Sequence, residues 1–507
     1  MESNIKRITK NTFLLYIRSF VVLLISLYTS RVVLNVLGII DYGIYSLVGG
    51  IVSVLSFMNS SLSNAYQRFF NYEKGKRNFD KLSELFKSSL FIQIILCLIV
   101  IIIAETIGLW FLDNKLIIPK ERMIAANFVY QISVITFIIT LIQAPFTSLI
   151  ISNEKMSIFA IVSILDAILK LIIVLILPFV KVDSLILYGT LLAIVSIINF
   201  CIYVYVCKQK FKECVISFSL KKENFKILFF FGSWTMIDSL ASVFKTQGIN
   251  ILLNMFFGPI VNSARGIASQ VLHAVEVFVR NFQISFRPQI TKLYAEGNLA
   301  DMYRLYYSST KISFFLLLIL SLPIIIELPL ILELWLGEKS VPEYTVSFTR
   351  VILLTALVST YANPTSAVAH ATGNIKKFNI HVSALNLLIL PISYLFLKLG
   401  FPPLSAMLVS LVMSVFTQIV RLFIVRELLP FSIKNYCKEV VVPTVLVFMP
   451  SLLLPYFCKY IMPKTLIYSL FVCLISVISV CIFTWIVGLN KKEKQFLISL
   501  LKTLIKK

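Results

Sequence analysis

Runs of about 20 or more predominantly apolar residues recur along almost the whole chain, and a run of that length crosses a hydrocarbon layer of roughly 30 Å as a single helix. Only a helix or a closed barrel satisfies its own backbone polar groups in lipid. The pattern therefore predicts an all-α polytopic membrane protein of about fourteen transmembrane helices, the first starting near Asn11 and the last near Thr465. With 58% of the 507 residues hydrophobic and 14% charged, no stretch remains for a soluble domain.

Lys and Arg outnumber Asp and Glu by 47 to 24. In a soluble protein that excess suggests nucleic acid as a partner, but position argues otherwise. With a cytoplasmic N-terminus, most basic residues fall in the tails and the even-numbered loops, as the positive-inside rule requires, so both termini are expected in the cytoplasm. The segments Lys208 to Lys226 and Lys491 to Lys507 mix lysines with Phe, Leu and Ile, as interfacial helices on an anionic leaflet do. Topology anchoring alone is the simpler account of them, since lysine loops of this kind are routine. The first apolar segment contains Arg18 and Arg31 and exceeds a signal-peptide core in length, so it is expected to remain as the first helix. Eight cysteines without a CxxC pair read as packing residues.

An internal repeat organises the chain. Asn35 and Gly38 in LNVLG recur as Asn254 and Gly258 in LNMFFG; Pro145 recurs as Pro364; Asn153 and Lys155 recur as Asn374 and Lys376; Ser163 and Asp166 recur as Ser383 and Asn386. All lie about 220 residues apart, the spacing of a duplicated six-helix unit. The expected organisation is an N-terminal six-helix lobe over residues 1–207, a basic cytoplasmic linker over 208–226, a C-terminal six-helix lobe over 227–430, and two further helices with a basic tail over 431–507. An even helix count gives both lobes the same orientation, related by a parallel pseudo-twofold axis, an arrangement suited to alternating access.

Charges inside the spans carry the functional argument, since each costs about 2.5 to 3.5 kcal/mol at the centre of an inserted helix. Asp166 with Lys170, and Glu276 with Arg280, stand four residues apart and are placed to neutralise each other. Arg350 and Arg421 lie near span ends, within snorkelling reach of the interface. Arg18 and Arg31 on the first helix, Lys245 on the seventh, and Arg265 and Arg280 on the eighth form a ladder of cations at several depths. Guanidinium groups bind phosphate oxygens bidentately and stay protonated, so such a ladder suits a phosphate or pyrophosphate headgroup and serves a cationic drug poorly. Gly258 and Pro259 are expected to form the hinge of the hairpin between the seventh and eighth helices, with Asn262 capping the eighth. That would put Arg265 in the first turn, where its charge adds to the positive end of the helix dipole. Asp238 and Glu276 are candidates for ion coupling or counter-ions.

No catalytic constellation is evident. His273, His370 and His381 are scattered, there is no HExxH, no zinc-like cysteine spacing and no Walker A loop. The chain is thus expected not to be an enzyme and to need no metal or cofactor. A membrane glycan polymerase would need acids or arginines on a sizeable outer loop, and the longest expected one, around Glu327 to Tyr344, is short.

The segment Leu252 to Gln270, LLNMFFGPIVNSARGIASQ, continuing through Arg280 to Asn298, resembles bacterial Wzx-type oligosaccharide flippases of the multidrug/oligosaccharidyl-lipid/polysaccharide (MOP) superfamily. Ser30 to Gly50, SRVVLNVLGIIDYGIYSLVGG, is similar to the first hairpin of that family. The resemblance implies two six-helix lobes around a cavity lined by helices 1, 2, 7 and 8. It implies an undecaprenyl-pyrophosphate-linked oligosaccharide as cargo, moved from the inner to the outer leaflet of the bacterial cytoplasmic membrane, with membrane lipids and a glycan polymerase machinery as partners. Arg18, Arg31 and Arg265 resemble the cavity arginines of the related lipid II flippases, whose two extra helices form a groove for the lipid tail. Drug-exporting relatives carry an acid within the first helix. Here the nearest is Asp41, beyond that helix, which weighs against the alternative of a cation-coupled small-molecule exporter.

Overall fold

The structure, a computed structural model, describes residues 2–495 except 154, 218–221, 338–339, 375, 462–464 and 492. Side chains are described within those limits except at 2–17, 64, 75, 222, 227, 230–235, 237–238, 281, 284–285, 288, 292 and 295. The Asp238 side chain and the tail beyond residue 495 thus lie outside the described residues. Every regular element among the described residues is helical. The chain divides into two compact units, Met1–Gly266 and Ile267–Lys507.

The first unit contains α1 (Glu2–Ser53), α2 (Ser56–Gly75), α3 (Phe79–Ile103), α4 (Leu109–Lys115), α5 (Met123–Ser152), α6 (Met156–Ile176), α7 (Ser184–Lys210), α8 (Lys222–Phe257) and the start of α9 (Pro259–Ala295). Gly38 kinks α1 at φ 75° and ψ 172°, a conformation open to glycine, so two expected spans run as one bent element. Its repeat mate Gly258, between α8 and α9, has φ 78°. Equivalent positions of the two repeats therefore share a positive φ. The other repeat prolines, Pro145 in α5 and Pro364 in α12 (Ala362–Ala371), both lie inside helices.

Within this unit α5 packs on α7, α1 on α6, and α2 on both α5 and α8. In lipid such packing rests on close contact between helices, because the tails around them are as apolar as the side chains. Tyr66, Phe70, Phe86 and Phe146 fill the interior where α2, α3 and α5 meet, with Phe86 edge-on to Phe146 at 5.3 Å. An aromatic pair of this geometry contributes about 0.5 to 1.5 kcal/mol beyond area burial. Phe211 and Cys214, just past α7, are buried in the same cluster. This explains why residues 211–217 form turns and extended chain and not the interfacial helix their lysines suggested.

The second unit holds the rest of α9, then α10 (Leu299–Leu336), α11 (Thr345–Ser359), α12, α13 (Lys376–Lys398), α14 (Leu404–Leu428), α15 (Ile433–Tyr436), α16 (Val442–Ile461) and α17 (Leu466–Phe483). Tyr306, Phe378, Phe431 and Tyr436 make its corresponding aromatic cluster. The α16–α17 pair, outside the repeat, and the chain just past it are fastened to α10 at two levels. Lys311 donates to Glu493 at 2.8 Å with both side chains almost wholly buried, and Lys459 reaches Glu327 at 3.3 Å. Glu327 sits inside α10 between Pro323 and Pro329 and is buried, so the outer loop expected from Glu327 to Tyr344 begins only after Leu336.

Among the described residues, eleven stretches are long and apolar enough to cross a membrane. The fourteen crossings expected from the sequence differ from this because α1 joins two of them across Gly38, and because α8 and α9 are outside the eleven. The boundary between units at Gly266 falls after the repeat boundary because compactness follows contacts, and α8 packs on α2 and α1.

Candidate functional site

The hairpin α8–α9 is held by asparagines. Asn262 donates to the carbonyl of Asn250 at 2.7 Å and to its Oδ1 at 2.8 Å, and accepts from Asn254 at 3.1 Å. Asn254 Oδ1 in turn accepts from the backbone N–H of Ile117 at 2.9 Å. Asn254, Asn262 and Ser263 are completely buried, and a buried amide network of this kind holds one geometry only while each member keeps its partners. Asn262 therefore does not cap α9. Proline, lacking an N–H, opens the helix at Pro259, and Asn262 stands one turn inside with its side chain turned to α8. Ser263 donates to the carbonyl of Ile39, and a Cβ on Gly43 would overlap the carbonyl of Pro259. Gly43 is thus what lets α1 and α9 approach.

Arg265 lies two turns into α9, beyond the first turn expected for it. It is 9% exposed. One terminal nitrogen donates to the carbonyl of Thr246 on α8 at 2.7 Å, while Nε is buried without a hydrogen-bond partner. Among the described residues no carboxylate pairs with it. Lys245, half-buried on α8, is the residue before the one whose carbonyl Arg265 holds. Arg18 stacks on the ring of Phe159 at 4.7 Å, between α1 and α6. Arg31 is on an exposed face of α1, the helix that packs on α8.

Arg280, in the second unit, pairs with Glu276 at 3.3 Å, and Lys170 pairs with Asp166 at 2.8 Å; Asn199 also donates to Asp166. Arg350 donates to the carbonyl of Ile325 at 3.2 Å inside the second unit, a backbone partner that sequence inspection did not suggest.

One cluster was not anticipated. Arg122, at the entry to α5, donates through Nε and one terminal nitrogen to Asp41 at 2.8 and 2.6 Å, and through its terminal nitrogens to Asp183 at 2.5 and 3.0 Å. Asp183 also caps α7, accepting from the N–H groups of Leu185 and Ile186. The Arg122 bond and these N–H groups hold the Asp183 carboxyl below its ordinary value. The three residues tie the loop end of α7 to α1 beyond its kink. Asp41, noted in the sequence as an acid beyond the first helix, is thereby committed to a structural bond.

A chain whose described elements are all helices, eleven of them long and apolar enough to cross a membrane, has the architecture of a multi-pass membrane protein. It is similar to the lipid II flippase MurJ in its inward closed conformation, with TM-score 0.70 and 14% identity over 94% of this chain and 98% of that one. It is also similar to an inward-facing multidrug resistance MATE family transporter of the MOP superfamily, with TM-score 0.66 and 15% identity over 80% of this chain and 94% of that one. No curated protein sequence matches the chain. Residues 8–279 match the pattern of the polysaccharide biosynthesis proteins, more than half of the chain, and the protein belongs to that family.

Proposed function

We propose that the protein is a flippase that carries undecaprenyl-pyrophosphate-linked oligosaccharide repeat units from the inner to the outer leaflet of the bacterial cytoplasmic membrane by alternating access. The product then feeds a glycan polymerase for surface polysaccharide. The observation that carries this reading is Arg265: a buried guanidinium with one carbonyl partner, an unsatisfied Nε and no carboxylate among the described residues. A buried charge left in that state is costly unless an anion completes it. A pyrophosphate supplies the missing acceptors, and Lys245, Arg18 and Arg31 add cations on neighbouring helices of the same unit. Membership of a polysaccharide biosynthesis family supports the glycan part of the cargo.

In this reading Gly258 and Pro259 form the hinge of the cation-bearing hairpin, and Asn262 fixes its register. Asp238 and Glu276 are the proposed counter-ions or coupling groups. Glu276 meets Arg280, the role of a counter-ion.

The test is the leaflet on which lipid-linked glycan accumulates when the gene is deleted. The expected result is accumulation on the cytoplasmic face. Accumulation of single repeat units on the outer face would assign a polymerase, and drug susceptibility with unchanged surface glycan would assign a small-molecule exporter.

A further inference from the structure

The second unit contains an open cleft of about 120 Å³ between α9, α10 and the α11–α12 junction, smaller than the roughly 300 to 1,000 Å³ of a drug-sized ligand site and so suited to a single small group. Glu276, Arg280 and Gln283 line it from one face of α9; Ser359, Thr360 and Asn363 line it from the other side. Its charge is balanced, because Arg280, the cation in the lining, is matched by Glu276 at 3.3 Å. A phosphate is therefore served poorly here, unlike at Arg265.

The uncharged groups are fixed by one another and, from beside the lining, by Arg287. Arg287 donates to Asn363 Oδ1 at 3.3 Å, Asn363 Nδ2 donates to Gln283 Oε1 at 2.5 Å, and Gln283 Nε2 donates to the carbonyl of Thr360 at 3.5 Å. Gln283 is 4% exposed and forms the floor of the cleft. Capacity remains after these bonds: each amide keeps a second N–H, Ser359 Oγ donates to the Thr355 carbonyl and keeps its lone pairs, and Glu276 keeps one oxygen. Donors and acceptors without net charge, beside the apolar Leu317 and Ala356, match a ligand whose groups each donate and accept along one edge and whose ring presents C–H to the other.

We propose that this cleft is a glycan subsite, taking a neutral pyranose ring through adjacent hydroxyls. The proposal rests on the flippase reading and deepens it: Asn363, Gln283 and Glu276 supply the contacts to a sugar of the cargo. Arg280, placed in the cation ladder by its sequence position, then serves the sugar and not the phosphate.

The experiment uses the full-length chain in lipid nanodiscs and three probes: undecaprenyl pyrophosphate carrying the repeat unit of the strain, the bare undecaprenyl pyrophosphate, and the lipid-free repeat-unit oligosaccharide. Wild type is expected to bind the glycosylated carrier about tenfold tighter than the bare one, the gain from two or three neutral hydrogen bonds. Asn363→Leu, which removes the amide, and Ser359→Phe, which fills the cleft and leaves the amide chain intact, are each expected to erase that preference while binding the bare carrier as wild type does. A preference that survives in both variants, or is missing in wild type, overturns the proposal. Failure of wild type to bind either carrier overturns the flippase reading. The lipid-free oligosaccharide then judges the cleft alone: binding lost in both variants supports it, and binding unchanged or absent overturns it.

Discussion

Arg122 and Arg265 belong to the same compact unit and meet opposite surroundings. Arg122 has two carboxylates, each at bidentate distance, and its side chain remains 26% exposed. Arg265 is more deeply buried and has one carbonyl. The first arginine is satisfied by the chain itself and acts as a strut joining α1 to the starts of α5 and α7. The second holds unspent hydrogen-bonding capacity at a place where leaving it unspent is costly. Inside a membrane protein the informative quantity is thus how completely a charge is answered. Its mere presence, which a sequence displays, decides less.

The largest expected effect on stability comes from the strut. Arg122→Ala leaves Asp41 and Asp183 facing each other without a cation, and unpairing charged groups of this burial costs about 2 kcal/mol. The midpoint of thermal unfolding in detergent should fall by several degrees, with the preference for a pyrophosphate carrier retained. The strut should also confer acid sensitivity. Because the Asp183 carboxyl titrates below its ordinary 3.8 when folded, its stabilisation is fully present above that pH and is lost as pH falls through the depressed value. Asp183→Asn should be less stable at neutral pH and lose less on acidification, which unfolding followed from pH 7 downward would measure.

The smallest effect is expected at Lys170, whose bond to Asp166 lies on a partly exposed helix face. Lys170→Ala should cost under about 0.5 kcal/mol, the scale of a pair four residues apart on a helix. Export should be unchanged. A large loss there would remove the contrast between answered and unanswered charges.

Much of the architecture was legible in the sequence because its signals are local. Apolar run length gives the spans, and Gly258–Pro259 marks a hairpin by the chemistry of two adjacent residues. Gly38 is marked only by comparison with its repeat mate. The four-residue spacing also exposed the pairs Asp166–Lys170 and Glu276–Arg280. The strut was illegible because Arg122 meets Asp41 and Asp183 across 81 and 61 residues, and a loop arginine counts in a sequence only toward topology. The same holds for Lys311 and Glu493, 182 residues apart. Asn262 looked like a cap because it follows Gly-Pro. Its buried bond to Asn250 depends on how two helices pack, which the local pattern does not encode. For Arg265 the sequence supplied the position, and folding supplied its burial and its single partner.

The central claim is that Arg265 awaits a pyrophosphate, and the most direct measurement compares binding of undecaprenyl pyrophosphate with that of undecaprenol to the full-length chain in nanodiscs, for wild type and Arg265→Gln. The account predicts that wild type prefers the pyrophosphate and that the variant, still folded, loses roughly tenfold to a hundredfold of that preference, the range of a charge-assisted hydrogen bond. A folded variant that keeps the wild-type preference would contradict it.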